Sequence, residues 1–562
     1  MQIKYIIDGK PVYMSSDNVN SAISTKTNDL HNGGSLGLNL EGQNMNIAAW
    51  DSEGVLTTHQ EFLNSDGSAS RATKGELFFA GISDHATHVG GTLIAKGTNP
   101  AAKGMAPQAT MTIYNWDNDS SEVVDEITTN ALLLSNHSYG VPPFDDSGNL
   151  IVPTWMMGCY NSDAVIWDQI AYNAPYYLMV TSAGNSGSDT YTGGLQDGYD
   201  KLTLEKNAKN NLVIANANPI FGFLSINSGS SQGPSDDGRI KPDIAGDGTN
   251  VFSSTSGSDS DYATFSGTSM ASPNVAGSLL LLQQYFNELN SSYMTSATLK
   301  GLVCHTAVDD ITSIGPDPKF GWGLLDAKAS AETILDAFNN NALIIETSLA
   351  DGNSYSKSFT VSDTKPLSAT ICWTDPAGTD QSGALNSSTP ALVNDLDLRI
   401  TAPDGTTTFF PWKLQLSDVS TPAITGDNSV DNIENIDVEN PIAGTYTLSV
   451  THKGSLSGGN QAFSLIVTGG NFTLGVSDKS IASITVWPNP AEDKLNLSFE
   501  SSDNKTKISL YDVSGREVYT KNLETSTTKI NHSIDTQVFY SGIYFLKIKN
   551  GNALYNKKII IK

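Results

Sequence analysis

The chain has 562 residues, more than one hydrophobic core normally holds, so we expect two to four domains. Hydrophobic residues make up 38% and charged residues 16% of the chain, which is typical of globular proteins and excludes a disordered one. The formal net charge of −27 argues against a nucleic-acid-binding protein, and it is compatible with a solvated acidic surface or with divalent cation binding.

Residues 45 to 335 alternate short apolar runs with helical patterns. Buried strands that alternate with helices predict an α/β fold with a doubly wound, mainly parallel sheet. In such sheets the chemistry collects at the carboxyl ends of the strands, and polar motifs follow these runs. The runs and helical patterns are Asn46–Trp50, His88–Ala95, Ala131–Leu134, Leu178–Ser182 and Asn274–Phe286.

The pattern changes twice further along the chain. Short alternating runs between residues 340 and 470, separated by turn residues, predict an antiparallel β-sandwich. From residue 478 onward 12 Lys and Arg stand against nine acidic residues, so this slightly basic segment is a separate module, predicted as a second all-β sandwich. The expected divisions are an N-terminal arm or propeptide remnant at 1–35, the α/β domain at 36–338, and β-sandwiches at 339–472 and 477–562.

The spacing of the cysteines and the lengths of the apolar segments argue against a disulfide-rich, zinc-binding or membrane-spanning protein. Cys159, Cys304 and Cys372 show no CxxC spacing and cannot all pair within one chain, so we expect neither a disulfide framework nor a zinc site, while one incidental disulfide stays open. No segment approaches the ~20 apolar residues that span a bilayer. The N-terminus lacks the apolar core of a signal peptide, so a secreted protein would have lost its leader.

A serine follows a glycine at the start of the last predicted helix, in Phe265–Gly277. Backbone N–H groups and the helix dipole favour negative charge there, as a nucleophile that forms an oxyanion intermediate requires. A Gly-Thr-Ser string alone would be read as a helix cap. The full string Gly-Thr-Ser-Met-Ala-Ser-Pro is far rarer and favours Ser269 as the nucleophile.

A histidine pair at His85 and His88 supplies a candidate general base for Ser269. The i, i+3 spacing is also compatible with a metal site. However, no third ligand follows at a typical distance and no Glu stands between the histidines, as it does in HExxH. We therefore expect His85 to be the base and His88 to be structural.

Asp51 ends the first predicted strand, where a carboxylate can orient an imidazole and stabilise its cation. An isolated Asp at a strand end is a weak signal, so its value lies in the order Asp51, His85, Ser269. This is the order of the catalytic residues in subtilisin.

On these three segments the chain resembles the subtilase family over residues 35 to 335. Further matching strings are Lys103–Pro107, Ser230–Pro234, Gly238–Asp243 and Gly321–Asp326. The resemblance implies that Asn185 completes the oxyanion hole, and an amide among glycines at a strand end can donate to a developing oxyanion. The related sedolisins use a Ser-Glu-Asp arrangement, which His85 and Asn185 exclude. Two departures are Glu53, which intervenes before Gly54, and Ala86 in place of the usual glycine.

The string Ser135–Gly140 resembles the substrate-binding strand of the family, so Ser138, Tyr139 and Gly140 are predicted to bind substrate. The edge of this strand would pair with an extended peptide. The alternative is a buried strand followed by a turn.

The middle domain resembles the β-sandwich that follows some extracellular subtilases and, distantly, the P-domain of proprotein convertases. The matching strings are Leu392–Leu398 and Glu434–Pro441. Structural calcium often accompanies such domains, and no organic cofactor is expected. Ordinary turn carboxylates are the alternative to calcium ligands. The candidate oxygen ligands are Asn394, Asp395 and Asp397, or alternatively Asp427 and Asp431.

The last module resembles the type IX secretion sorting domain, through Trp487–Ala491, Tyr511–Arg516, Ser541–Tyr544 and the terminal Lys557–Lys562. This implies export by a secretion machinery, followed by cleavage or surface anchoring. The alternative is an adhesive β-module.

Together these resemblances imply a secreted, monomeric serine endopeptidase that acts on extracellular proteins through an acyl-enzyme. Two hypotheses of other kinds stay open. The first is a binding or adhesion protein that keeps the shell without catalysis. The second is an esterase or transpeptidase that uses the same triad, since all three reactions share the acyl-enzyme.

Overall fold

A computed structural model describes residues 2–7, 10–14, 18–76, 81–145, 147–218, 224–310, 312–361, 365–469, 473–474, 484–500, 505–512, 516–524, 529–550 and 553–562. The chain divides into two compact units. The first comprises Met1–Lys357 and Val361–Phe472, and the second comprises Ser358–Thr360 and Thr473–Lys562.

The first unit begins with an α/β domain. Its strands and α-helices are β1 (Gln2–Ile7), β2 (Lys10–Met14), α1 (Asn18–Ser24), β3 (Asn46–Asp51), β4 (Ala72–Lys74), α2 (Asp84–Ile94), β5 (Thr110–Asn115), α3 (Asp119–Asn130), β6 (Leu134–His137), α4 (Ser162–Asn173), β7 (Leu178–Ser182), β8 (Leu212–Ala217), β9 (Ile244–Asp247), β10 (Val251–Ser254), β11 (Tyr262–Phe265), α5 (Thr268–Asn290), α6 (Ser296–His305) and α7 (Ala327–Phe338). Short 3-10 helices lie at Thr27–Asp29, Pro100–Ala102, Trp116–Asn118, Thr154–Met156, Leu204–Asn207 and Ser457–Gly459.

Seven strands form one parallel sheet in the order β4-β5-β3-β6-β7-β8-β9, which confirms the predicted doubly wound α/β fold. Helix α5 packs against β6, β7, β8 and β9 on one side and against α2 and α7 on others, so it is apolar nearly all round. Its run Leu279–Leu282 is fully buried. Among the described residues, no helix combines the length and apolarity needed to cross a bilayer.

One predicted strand is misplaced. The apolar run Ala131–Leu134 was expected to be a strand, but β6 begins only at Leu134 and continues through the polar residues to His137. Helix α3 extends to Asn130, and Ala131 ends it in the left-handed conformation with φ 51°. The next two residues therefore connect the helix to the sheet.

The first unit continues with antiparallel β-sheets, which confirms the all-β character predicted from the alternating runs, and their packing as a sandwich stays a prediction. One sheet has the order β12-β21-β14-β19 and the other includes β16-β15-β20-β13. Helix α6 of the α/β domain packs against β14 and β21. The strands are β12 (Leu343–Ala350), β13 (Tyr355–Val361), β14 (Leu367–Cys372), β15 (Leu396–Thr401), β16 (Thr408–Phe409), β17 (Trp412–Lys413), β18 (Ile424–Thr425), β19 (Ile433–Val438), β20 (Gly444–His452) and β21 (Asn460–Thr468).

The second unit is also all-β, with sheets β23-β24-β27 and β26-β25-β28-β29 that pair antiparallel. Buried Tyr544, Leu546 and Ile548 alternate with exposed residues along β28, so each sheet buries one face. The expected boundary at 472–477 falls where only Thr473 and Leu474 are described. The strands are β22 (Thr473–Leu474), β23 (Thr485–Trp487), β24 (Lys494–Glu500), β25 (Lys505–Asp512), β26 (Glu517–Glu524), β27 (Lys529–Asp535), β28 (Gly542–Asn550) and β29 (Ala553–Ile561).

Candidate active site

An aspartate–histidine pair lies at the carboxyl end of the parallel sheet. Asp51 is the last residue of β3 and His85 is the second residue of α2, and the Oδ2 atom of Asp51 lies 2.8 Å from Nδ1 of His85. The backbone N–H of Ser52 donates to the other carboxylate oxygen at 2.8 Å. Because both oxygens are held and the Asp51 side chain is buried, the carboxylate sets the orientation of the imidazole.

The environment of His85 determines its protonation. Burial lowers the pKa of His85, but the hydrogen bond and the negative charge of Asp51 outweigh burial, so the pKa is raised from its ordinary value of 6.5. The side chain stays 39% exposed, which leaves the ring accessible from the solvent side. Ser83 fixes the start of α2 because its hydroxyl accepts a hydrogen bond from the backbone N–H of Ala86.

Ser269 is the second residue of α5, directly after Gly267 and Thr268. Its hydroxyl donates to the backbone carbonyl of Ser138 at 3.1 Å. The hydroxyl of Ser138 in turn donates to the carbonyl of Ser269 at 2.9 Å. Ser269 lies in the first turn of α5, where the helix dipole favours a developing negative charge.

Asn185 follows β7 and is tied to the residue before Ser269. The side-chain oxygen of Asn185 accepts hydrogen bonds from the backbone N–H of Thr268 at 2.9 Å and from its hydroxyl at 3.1 Å. The Nδ2 group of the amide is therefore left to donate elsewhere. Asn185 lines the same cavity as Ser269, which makes this amide a candidate donor to an oxyanion.

A cavity of about 330 Å³ adjoins the Ser269 hydroxyl. The ammonium group of Lys201 donates to the carbonyls of Ser186 and Gly187, and burial lowers the pKa of Lys201 to about 8. The cavity is large enough for one amino-acid side chain. Its wall includes Tyr139, Gly140, Phe144, Asp189, Thr203, Lys206 and Ser231.

The segment predicted to bind substrate is only partly available for pairing. Strand β6 lies inside the sheet, where Ser135 and His137 have strand partners on both sides, in β3 and β7. The expectation that this whole string offers a free edge is therefore wrong, because interior strands have no unpaired edge. Ser138, Tyr139 and Gly140 follow β6, and for them peptide pairing stays a prediction.

A buried hydrogen-bond chain that the sequence did not reveal supports this segment. The hydroxyl of Tyr139 donates to Asp119 at 2.6 Å and lies 2.7 Å from Nδ1 of His137. Burial lowers the pKa of His137 to about 3, so its ring is neutral and the other nitrogen bonds to the hydroxyl of Ser135. The position of His137 inside the string Ser135–Gly140 was the one signal that could have pointed to it.

His88 lies one turn after His85 on α2. Its ring stacks on Phe265 with centroids 4.6 Å apart, and its Nε2 atom lies 3.0 Å from the carbonyl of Val251. Burial lowers the pKa of His88 to about 4. His88 therefore packs the start of α2 against β10 and β11.

The carboxylates predicted as calcium ligands contact cations of the chain itself. Lys453 lies 3.2 Å from Asp395, 2.9 Å from Asp397 and 3.1 Å from Asp427. Arg399 binds Asp397 and Asp427 as well. These two cations already balance the negative charge that a calcium ion would balance.

The other two candidates lie in separate surroundings. The amide of Asn394 bonds to Gln461 and to the backbone of Ser457, and Asp431 accepts from the backbone N–H of Ile240. Each predicted set is therefore divided between the cluster around Lys453 and these separate hydrogen bonds, and calcium binding stays a prediction. Over the described ranges, no group of three or more His, Cys, Asp or Glu could hold a metal ion.

Comparison with known proteins agrees with this geometry. The profile of the Subtilase family matches residues 40–323, and that of the Secretion system C-terminal sorting domain matches residues 485–562. Subtilisin DY of Bacillus licheniformis is 27% identical over 300 residues, 52% of this chain and 92% of that protein. Subtilisin of Bacillus sp. (strain TA39) is 27% identical over 44% of this chain and 58% of its own length. Subtilisin E of Bacillus subtilis (strain 168) is 25% identical over 52% of this chain and 66% of its own length.

The two profiles cover the α/β domain and the C-terminal all-β module, where the resemblances were expected. The Subtilase profile alone spans half of the 562 residues. The chain belongs to the subtilase family, and it is a secreted or cell-surface serine endopeptidase with a C-terminal sorting domain.

Proposed function

We propose that Asp51, His85 and Ser269 form a catalytic triad that hydrolyses peptide bonds of extracellular proteins through an acyl-enzyme. The observation that carries this proposal is the 2.8 Å contact between Asp51 and His85, which directs the far nitrogen of the ring away from the carboxylate. A histidine held in this way can accept a proton on Nε2.

The reaction proceeds in two halves. His85 takes the proton of Ser269 as the hydroxyl oxygen attacks the peptide carbonyl, and the amide of Asn185 and a backbone N–H stabilise the tetrahedral oxyanion. His85 then gives the proton to the leaving amine as the C–N bond breaks. A water molecule, deprotonated by His85, attacks the acyl group and frees Ser269.

The hydroxyl of Ser269 donates to Ser138 in the absence of substrate. The mechanism requires the hydroxyl to turn toward His85 when substrate binds. Catalytic hydrogen bonds are often long or misdirected before the substrate complex forms, so this geometry is compatible with the proposal.

An extended peptide would pair with Ser138, Tyr139 and Gly140 and place one side chain in the cavity beside Ser269. We also propose that the C-terminal module is recognised by a secretion machinery, which is the partner that its sorting profile suggests.

Labelling with a fluorophosphonate probe, combined with a casein digest, tests the proposal. The purified chain should be labelled and should cleave casein, and Ser269→Ala should do neither. Ser65→Ala, which changes an exposed serine, is the matched control and should behave as the parent. A chain that the probe labels and that hydrolyses an ester substrate but not casein would favour an esterase. A folded chain that the probe does not label would favour a binding protein and contradict the triad.

A further inference from the structure

A second cavity, of about 270 Å³, lies beside the segment that follows β6. Its wall shares Tyr139, Gly140 and Val141 with the cavity beside Ser269. A peptide that pairs with this segment would therefore pass both cavities and place a second side chain in this one. The rest of the wall includes indole rings and carboxylates, from Trp116, Trp167, Asp119, Asp163 and Glu205.

Aromatic rings form one corner of this cavity. The rings of Trp116 and Tyr139 have centroids 5.4 Å apart, and their planes are inclined by 59°. Trp116 is 42% exposed, so its ring is accessible to a ligand. A cation that lies over the face of either ring is attracted to it, because the face of an aromatic ring carries partial negative charge. The long stems of Arg and Lys also pack well on such rings.

Two of the three carboxylates lack a cation. Lys206 forms an ion pair with Glu205 and donates to the carbonyl of Tyr139 at 3.1 Å. Among the residues that the structure describes, no Lys or Arg pairs with Asp119 or Asp163. The cavity therefore carries a net negative charge that a positive ligand group would balance.

The protonation of these groups reflects their mutual repulsion. Burial raises the pKa of Asp119, and the charges of Glu205 and Asp163 add to this effect. Burial and the charge of Glu205 also raise the pKa of Asp163. A positive group between the carboxylates would offset both the repulsion and the cost of burial.

We propose that this cavity selects a basic side chain, Arg or Lys, of the substrate, at a position before the residue whose side chain enters the cavity beside Ser269. Asp119 and Asp163 balance the positive charge, and Trp116 and Tyr139 pack against the stem. Arg fits better than Lys, because a planar guanidinium stacks on aromatic rings and binds carboxylates with two hydrogen bonds. This selectivity rests on the proposed function, since it takes the segment after β6 as the one that binds peptide.

A positional-scanning peptide library tests the selectivity of the full chain. Each of the four positions before the scissile bond carries Arg, Lys, Glu or norleucine in turn, with mixtures at the other positions, and kcat/KM is measured. Norleucine keeps the apolar stem of Lys without its charge. At one of the three positions further from the bond, we expect kcat/KM to be about tenfold higher for Arg than for norleucine, with Lys between them and Glu lowest. A ratio near one, or a preference for norleucine, at all three positions would overturn the proposal.

Variants of the wall show which residues carry the selectivity. Asp163→Asn removes one charge and keeps the shape of the side chain, so the ratio of Arg to norleucine should fall about fivefold. Trp116→Leu removes the ring and should lower the ratio about threefold, which keeps the test decisive if the first variant does not fold. Asp117→Asn removes an exposed carboxylate outside the lining of the cavity, so this matched control should keep the ratio. An unchanged ratio in both wall variants would overturn the proposal.

A binding measurement separates this proposal from the proposed function. Fluorescein-labelled peptides of the same library are titrated into the Ser269→Ala chain, and fluorescence polarisation should show about tenfold tighter binding of the Arg peptides than of the norleucine peptides. Selective binding by this chain, with a parent that neither reacts with fluorophosphonate nor cleaves peptides, would support the cavity assignment and contradict the triad. Peptide cleavage by the parent without a preference for Arg in either measurement would contradict the cavity assignment and leave the triad in place.

Discussion

Ser138 and Ser269 hold each other through reciprocal hydrogen bonds, each hydroxyl donating to the other's backbone carbonyl at 2.9 and 3.1 Å. The residues are 131 positions apart in the chain. The segment proposed to bind substrate is thereby tied to the first turn of α5, which carries the proposed nucleophile. A substrate that pairs with this segment would find its scissile carbonyl close to Ser269.

Asp51→Asn should lower kcat by about 10⁴, because the amide can no longer stabilise the imidazolium or enforce the correct tautomer of His85. Steady-state hydrolysis of a peptide substrate measures this. The exposed Asp66→Asn is the control and should leave kcat unchanged. A kcat within tenfold of the parent in Asp51→Asn would remove the aspartate from the mechanism.

Asn185→Ala should lower kcat by about 10²–10³ with little change in KM, because the amide donates mainly to the transition state. The substitution also breaks the bonds to Thr268, so the unfolding midpoint has to be measured beside the kinetics. Thr268→Val keeps the backbone hydrogen bond to Asn185 and removes only the hydroxyl, so it should lower kcat by less than tenfold. Equal losses in the two variants would indicate a structural role for Asn185.

Activity should fall as the pH decreases through the pKa of His85, because the protonated ring cannot accept the serine proton. The pKa of His85 is raised from 6.5 by Asp51, so the acidic limb of kcat/KM should have its midpoint above 6.5. The pKa values of His88 and His137 are lowered to about 4 and 3, so neither titrates in that range. Asp51→Asn should move the limb to lower pH, and a flat profile between pH 4 and 9 would contradict the assignment.

Tyr139→Phe should raise KM more than it lowers kcat, because it leaves Asp119 and His137 without their shared partner and loosens the segment that binds peptide. The expected loss of stability is about 1–3 kcal/mol, the cost of buried polar groups left unpaired. Urea unfolding and steady-state kinetics give the two readouts. Tyr172→Phe, at a partly exposed site on α4, is the control. A variant with unchanged KM would indicate that this chain of hydrogen bonds does not position substrate.

Lys209→Met should destabilise the first unit by about 3–5 kcal/mol, because it leaves buried carboxylates without their cation. Lys209 lies 3.0 Å from Asp375 of the all-β domain and 3.4 Å from Asp168 of α4, and all three side chains are fully buried. Urea unfolding of the Ser269→Ala chain measures the loss, with Lys96→Met as the control. A loss below 1 kcal/mol would show that this ion pair does not couple the two domains.

Local patterns were sufficient to predict the strand and helices that carry the candidate catalytic residues. Asp51 ends an apolar run, and His85 and Ser269 stand at the starts of helices, so short stretches of neighbouring residues specify all three positions. The alternating runs of both all-β regions are equally local, because inward and outward side chains alternate along a strand. The start of β6 was missed because its buried residues are polar and bonded within the sheet, which hydrophobicity does not reveal.

Only the tertiary structure decided which polar groups compensate one another. The acidic residues around Asp397 look like metal ligands in the sequence, yet Lys453, directly after β20, and Arg399 in β15 contact them. Asp119, Asp163 and Glu205 carry no motif, and they come together because distant segments fold around one cavity. Electrostatic compensation depends on distances in space between residues far apart in sequence. The sequence by itself therefore determined the strands, the helices and the candidate triad, and the fold decided how the charges are paired.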